Sequence, residues 1–294
     1  MMAGTVTTLL DDLVFPEGLR WRGDTLWFSD MNGLAVMAAT LTGPARRVVE
    51  VPGQPSGLGW LPDGRLLIVS MHDRRLLRLE PDGLVEHADL RGIATGDCND
   101  MVVDRHGRAY VGNFGLDFGG YMRQHSLEYG FTDPDFPTAK LALVDPDGTV
   151  RVAAEGLRFP NGMVITPDGG TLIVAETFGP RLTAFTIAAD GTLHDRRVWA
   201  AMTAGIPDGL CLDAEGAVWV ASPRSHECLR LAAGGAVLDR VGISQDCFSC
   251  ALGGDDGRTL LLAAGPSPAT PLVPGTRTGK IEMARVGVPG IAMP

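Results

Sequence analysis

Five short segments of the chain share one pattern, and one position in that pattern collects oxygen ligands. The segments are Phe15-Pro16-Glu17-Gly18-Leu19, Gln54-Pro55-Ser56-Gly57-Leu58, Asp97-Cys98-Asn99-Asp100-Met101, Phe159-Pro160-Asn161-Gly162-Met163 and Ile206-Pro207-Asp208-Gly209-Leu210. The position after the Pro or Cys holds Glu17, Ser56, Asn99, Asn161 and Asp208, and four of these five carry a carboxylate or amide oxygen able to bind a metal ion. A repeat that only builds core has no need of such residues. Glu17 and Asp208 supply carboxylates, and Asn99 and Asn161 supply amide oxygens. This hard oxygen set suits Ca²⁺, Mg²⁺ or Mn²⁺ better than a site needing thiolate or imidazole. Two negative ligands also neutralise a dication. Asn and Asp that cap turns at strand starts account for one or two such residues, but poorly for four at one repeat phase.

Other familiar chemistry is missing from the sequence. It contains no G-x-S-x-G, no H-E-x-x-H, no P-loop and no G-x-G-x-x-G. The histidines His72, His87, His106, His125, His194 and His226 show no ligand spacing, and most sit beside turns and are expected to be solvated. Only His125 falls in a segment of functional interest. Cys247-Phe248-Ser249-Cys250 has redox or zinc spacing, but it lacks a second pair and a βαβ context. Buried structural thiols are the expectation. In a strand, a three-residue step points side chains to opposite faces, so no disulfide is expected there.

The elements that must position the ring residues recur with them. Counting Phe248 as the sixth copy, the steps between ring positions are 39, 43, 62, 47 and 40 residues. A period of about 40 residues with about four strands per repeat is the signature of a β-propeller. The second strand of each repeat is the clearest: Thr25–Asp30, Leu66–Met71, Arg108–Asn113, Leu172–Thr177, Ala217–Ser222 and Thr259–Ala264. Such near-continuous apolar runs suit strands buried on both faces between neighbouring blades. Pro-Asp-Gly turns at 62–64, 81–83, 146–148 and 167–169 punctuate the repeats. Helical periodicity is nearly absent.

The reading is therefore an all-β, six-bladed propeller over residues 1–294, with four antiparallel strands per blade. The last repeat ends in Gly279–Val286 and lacks a fourth strand, while Thr5–Leu10 precedes the first repeat and looks like that strand. Pairing of the two would close the ring and remove its edges. In such a ring the first strand of each blade lines the central channel. Glu17, Asn99, Asn161 and Asp208, separated by 82, 62 and 47 residues, would face one another there. The long third repeat carries an insertion at about 115–138, rich in Gly and aromatics, and it is read as a lid over the channel mouth.

Composition narrows the class. The chain has 294 residues, 45% hydrophobic and 20% charged, with a formal net charge of -10. No run of Lys or Arg exceeds two residues, which argues against nucleic-acid binding. No apolar run reaches the roughly 18 residues needed to span a bilayer, and the N-terminus has no basic or apolar signal region. Five cysteines, an odd number, fit reduced thiols and a cytoplasmic location. A monomer or weak homo-oligomer is expected.

The segments Phe15–Gly18, Asn99-Asp100, Pro160–Gly162 and Pro207–Gly209, supported by Trp27–Asp30, resemble the SMP-30/gluconolactonase/luciferin-regenerating-enzyme family over essentially the whole chain. The resemblance implies a six-bladed propeller with metal ligands at Glu17, Asn161 and Asp208. It implies that Asn99 holds substrate or completes the metal shell. Members are mostly lactonases acting on sugar lactones, and related propellers hydrolyse organophosphates. Some sugar-lactonase members carry an Arg two residues before the Asn99 position, where this chain has Asp97. An acidic substrate-contacting position matches Asp117.

The expected activity is metal-dependent hydrolysis of a lactone. The ion, Ca²⁺ first with Mg²⁺, Mn²⁺, Zn²⁺ or Fe²⁺ as alternatives, would act as Lewis acid, and Asp208 as general base. Water activated by the ion without Asp208 is the alternative route. Asn99, Asp97 and Asp117 would contact substrate. Phosphotriester hydrolysis on the same site, or a non-catalytic metal-stabilised binding module, are the alternative functions.

Overall fold

A computed structural model describes residues 5–267 and 276–291. Its strands form six four-stranded antiparallel sheets. The N-terminal strand β1 (Thr7–Leu13) is followed by blade 1, made of β2 (Pro16–Arg22), β3 (Thr25–Asp30), β4 (Ala35–Ala39) and β5 (Arg46–Glu50). Blade 2 is β6 (Pro55–Trp60), β7 (Leu66–Ser70), β8 (Arg75–Glu80) and β9 (Gly83–Asp89). Blade 3 has β10 (Cys98–Val103) and β11 (Ala109–Asn113), then helices α1 (Phe118–Gln124) and α2 (Leu127–Thr132), then β12 (Ala139–Val144) and β13 (Val150–Leu157). Blade 4 is β14 (Pro160–Ile165), β15 (Thr171–Glu176), β16 (Arg181–Ile187) and β17 (Leu193–Ala201). Blade 5 is β18 (Leu210–Leu212), β19 (Val218–Ser222), β20 (Glu227–Leu231) and β21 (Val237–Gly242). Blade 6 contributes β22 (Asp246–Gly253), β23 (Thr259–Gly265) and β24 (Gly279–Arg285).

Blade 6 is completed by β1, which pairs antiparallel with β24, Thr7 opposite Met283 and Leu13 opposite Gly279. The closing strand runs slightly later in sequence than the expected Thr5–Leu10. The first strands of the blades touch in a closed cycle, β2, β6, β10, β14, β18, β22 and back to β2. Their close approach explains the glycine after the ring position. A Cβ on Gly57 would lie 2.5 Å from Met101 N, and one on Gly162 would lie 2.5 Å from Asp208 O.

The core lies between blades. Leu67, Val69 and Leu76 of blade 2 pack with Met101, Val111 and Val144 of blade 3. Each such side chain contributes about 1.5–3 kcal/mol on burial. The second strands are buried on both faces, as their apolar runs predict. No helix among the described residues is long and apolar enough to cross a membrane.

The structure refines three local expectations. First, where helical periodicity is nearly absent, the insertion holds two short helices, whose seven and six residues are too few to show a helical period. Their caps are Asp117, accepting from Gly120 N, and Ser126, accepting from Tyr129 N. Second, His87 is the exception among histidines expected mostly to be solvated: it is buried, and burial first, then Arg78, lowers its pKa. Third, the thiols of Cys247 and Cys250 do not point to opposite faces. The register steps from Cys247 opposite Ala264 to Ser249 opposite Ala263, so Phe248 is an extra, bulged residue. The bulge restores parity, and both thiols come within hydrogen-bonding reach of Cys228. All five cysteines are nevertheless free, as expected.

Candidate metal centre

Each ring residue sits where a blade's innermost strand begins, at the end of the ring where the blades hand the chain on. Glu17, Ser56, Asn99 and Asn161 are second in β2, β6, β10 and β14, and Asp208 lies just before β18, its N–H donating to Ala221 O at 3.0 Å. Proline at the preceding position suits a first strand residue, because the N–H it lacks would have no ladder partner there. Asn99, Asn161 and Asp208 are 7%, 6% and 7% exposed, and Glu17 is half-buried.

The structure brings Glu17, Asn161 and Asp208 together. Asn161 stands beside the Asp208 carboxylate, and the charges of Asp208 and Asp100 act on Glu17. Burial first, then Asp208 and Asp100, raises the Glu17 carboxyl well above its usual range. Burial first, then Asp100, does the same to Asp208. One Asp208 oxygen, Oδ1, is buried with no hydrogen-bond partner. An unpaired buried carboxylate oxygen is costly, and a cation is the partner it calls for. The donor set therefore fits a hard divalent ion, through Glu17, Asp208 and the amide oxygen of Asn161. Among the described residues no three His, Cys, Asp or Glu side chains gather as a metal site. The candidate set has only two carboxylates available and fills out with amides.

Asn99 stands in the same ring, but its oxygen accepts from Ser56 Oγ at 3.3 Å. Asp97 pairs its Oδ2 with His72 Nδ1 at 3.0 Å. Asp117 caps α1 and is exposed, with Arg123 3.7 Å away. These last two lie apart from the buried carboxylates and belong to the mouth and the insertion.

Several participants escaped the sequence reading. Asp100 occupies the position that is glycine in Gly18, Gly57, Gly162 and Gly209, a departure that was itself a signal. Its charge is held by Arg20, whose Nη2 lies 2.7 Å from Asp100 Oδ1 and whose other donors reach the carbonyls of Leu19, Leu58 and Met101. Arg20 thus keeps Asp100 committed beneath the ring. Thr177 accepts from Asn161 Nδ2 at 3.2 Å and donates to Pro207 O at 2.9 Å. A lone Thr ending a buried apolar strand was its only signal.

The insertion crosses the same end. Arg224 of blade 5 reaches Glu128 of α2 at 2.6 Å, and Arg158, just before blade 4, donates to Asp133 O at 2.6 Å. Leu127 and Phe136 pack with Phe159 and Phe178 from the mouth of blade 4.

Fold and ring together define a propeller family. The SMP-30/gluconolactonase/LRE-like family profile matches residues 15–265, and the chain belongs to that family. It is 30% identical over 161 residues to 6-deoxy-6-sulfogluconolactonase of Pseudomonas putida, covering 53% of this chain and 55% of that one. It is 28% identical over 164 residues to a pentonolactonase of Haloferax volcanii, covering 54% and 50%. The matched part of the chain thus spans about half the length of these curated relatives. The crystal structure of a calcium-binding protein, regucalcin, from Agrobacterium tumefaciens superposes with a TM-score of 0.78 at 21% identity, over 100% of this chain and 97% of that one.

Proposed function

We propose that this chain is a divalent-metal-dependent lactonase. The observation that carries the reading is the unpartnered, buried Oδ1 of Asp208 beside a second raised carboxyl, Glu17. The lactonase names of relatives within the family support the substrate class. The calcium-binding description of regucalcin supports Ca²⁺ as the first ion to test.

Glu17, Asn161 and Asp208 would hold the cation. When bound, it supplies Lewis acidity toward the lactone carbonyl oxygen. Asp208 accepts a proton from the attacking water as the water oxygen bonds to the carbonyl carbon. The ring C–O bond then breaks, and the proton passes to the leaving ring oxygen, giving the open hydroxy acid. Asn99 stays free to orient the substrate through its amide N–H groups, because its oxygen is engaged by Ser56. Asp97 stands at the mouth with His72 as a substrate contact. The insertion that includes Asp117 acts as a lid that excludes bulk water. Free thiols throughout fit a reducing, cytoplasmic setting.

The test is a lactone panel assayed with and without chelator, alongside direct metal analysis. Chelator-sensitive ring opening, restored by one divalent ion, supports the reading. Full activity in metal-free protein, or no lactone turnover in any metal form, refutes it.

A further inference from the structure

The mouth of the ring is aromatic on two opposite sides. In four blades the carbonyl two residues before the ring position accepts from the residue that follows the second strand: Phe15 O from Met31 N, Gln54 O from Met71 N, Asp97 O from Phe114 N and Phe159 O from Thr177 N. Met31, Met71, Phe114 and Thr177 therefore share one repeat phase. The Thr177 hydroxyl reaches Asn161, so this phase stands beside the ring residues. By the same repeat, Phe114 stands beside Asn99.

Phe114 stacks on Phe159, with centroids 4.3 Å apart and planes at 10°. Phe118 of α1 closes on both, at 5.7 and 5.2 Å. Phe159 has φ +59°, a left-handed backbone that a bulky residue rarely adopts. Across the ring the sixth blade places Phe248 itself at the ring position, 4.6 Å from Phe15. Blades 3 and 4 lie opposite blades 6 and 1 in a six-membered cycle, so the two aromatic pairs stand on opposite sides of the ring. Phe15, Phe114 and Phe118 each keep part of their surface open to solvent. A polyhydroxylated lactone needs a hydrogen-bond partner for each hydroxyl. At this mouth the Thr177 hydroxyl is already engaged, donating to Pro207 O.

We infer that the lactone taken by this site carries an apolar substituent, alkyl or aryl, lodged between Phe114–Phe159 and Phe15–Phe248. The inference rests on the lactonase reading and narrows it. Its test compares kcat/KM of the Ca²⁺- or Mn²⁺-loaded protein on glucono-δ-lactone, a δ-lactone with a linear alkyl chain, and dihydrocoumarin. The apolar lactones should be preferred by about tenfold or more, the discrimination a few methylenes supply in an apolar pocket. Turnover of the sugar lactone with no gain for the apolar ones overturns this inference alone. Turnover of none removes the lactonase reading and this inference with it. Phe118→Ser should raise KM for the alkyl lactone about tenfold, the effect expected for losing an apolar wall, and Phe118→Leu should restore it. Equal KM in all three proteins overturns the placement.

Discussion

The Asn161 amide donates to the Thr177 hydroxyl at 3.2 Å, and that hydroxyl donates onward to the Pro207 carbonyl at 2.9 Å. One threonine thus ties Asn161 of blade 4, a proposed ligand, to the backbone next to Asp208, a proposed ligand of blade 5. It also fixes which way the Asn161 amide is turned. Thr177→Val keeps the shape but removes both bonds. Metal affinity measured by calorimetry should fall about 10- to 100-fold, as for other groups that orient a ligand, while Thr177→Ser should stay near the parent. Equal affinity in the Val variant would show that Thr177 orients nothing.

Glu17→Ala and Asp208→Ala each remove one of the two charges proposed to hold the ion and should weaken metal binding strongly. Asp208→Asn keeps size and a side-chain oxygen but removes the proposed base. It should retain measurable metal and lose turnover by roughly 10²-fold or more. Activity that falls only in step with occupancy would transfer the proton-accepting role elsewhere. Because burial first, and then neighbouring acidic groups, raise both carboxyls, protons must leave as the ion enters. Affinity should therefore climb as pH rises from the ordinary carboxylate range toward neutrality. A flat affinity profile over that span would contradict the assignment.

Glu176 supplies a separate dependence on pH. Burial alone would raise its carboxyl, but hydrogen bonds from Arg181, the Arg158 N–H and Thr183 outweigh it, and the pKa lies below the ordinary 4.5. A lowered folded value gives stability that is present above the unfolded pKa and lost as pH falls through the folded one. Glu176→Gln should flatten this acid-side loss in thermal melts. At neutral pH it should cost roughly 1–3 kcal/mol, the worth of charged hydrogen bonds, because Arg181 and Arg196 keep about a third of their surface in solvent. An unchanged acid-side slope would remove Glu176 from the account.

Removing residues 1–13 leaves β24 paired to β23 but without its outer partner, β1. The truncated protein should melt at lower temperature and associate through the bared edge, measured by light scattering. An unchanged melting temperature in a monodisperse truncation would show that the closure contributes little.

Much of this was legible because a propeller repeats its instructions. Ring residues on different blades share a phase, so counting placed Glu17, Asn99, Asn161 and Asp208 on one ring, and the unpartnered strand at 279–286 announced its mate near the N-terminus. What the count hid is local. Phe248 is a bulge, so the spacing of Cys247 and Cys250 misled. Asp117 caps a helix too short to show a period. Arg20 and Thr177 act through bonds to other blades, and sequence separation says nothing of those.

The pairing of Thr7 with Met283 joins residues separated by nearly the whole chain. Such a long-range contact is slow to form, because the loop it closes must be ordered first. During synthesis β24 emerges after every other strand of the ring, so before it appears blade 6 is only the pair β22–β23 and β1 has no partner. Until then Glu17 on blade 1 and Asp208 on blade 5 belong to an open arc, and the ion they would share has nowhere to settle. Ring closure is therefore expected as a late kinetic phase, and metal uptake should not precede it.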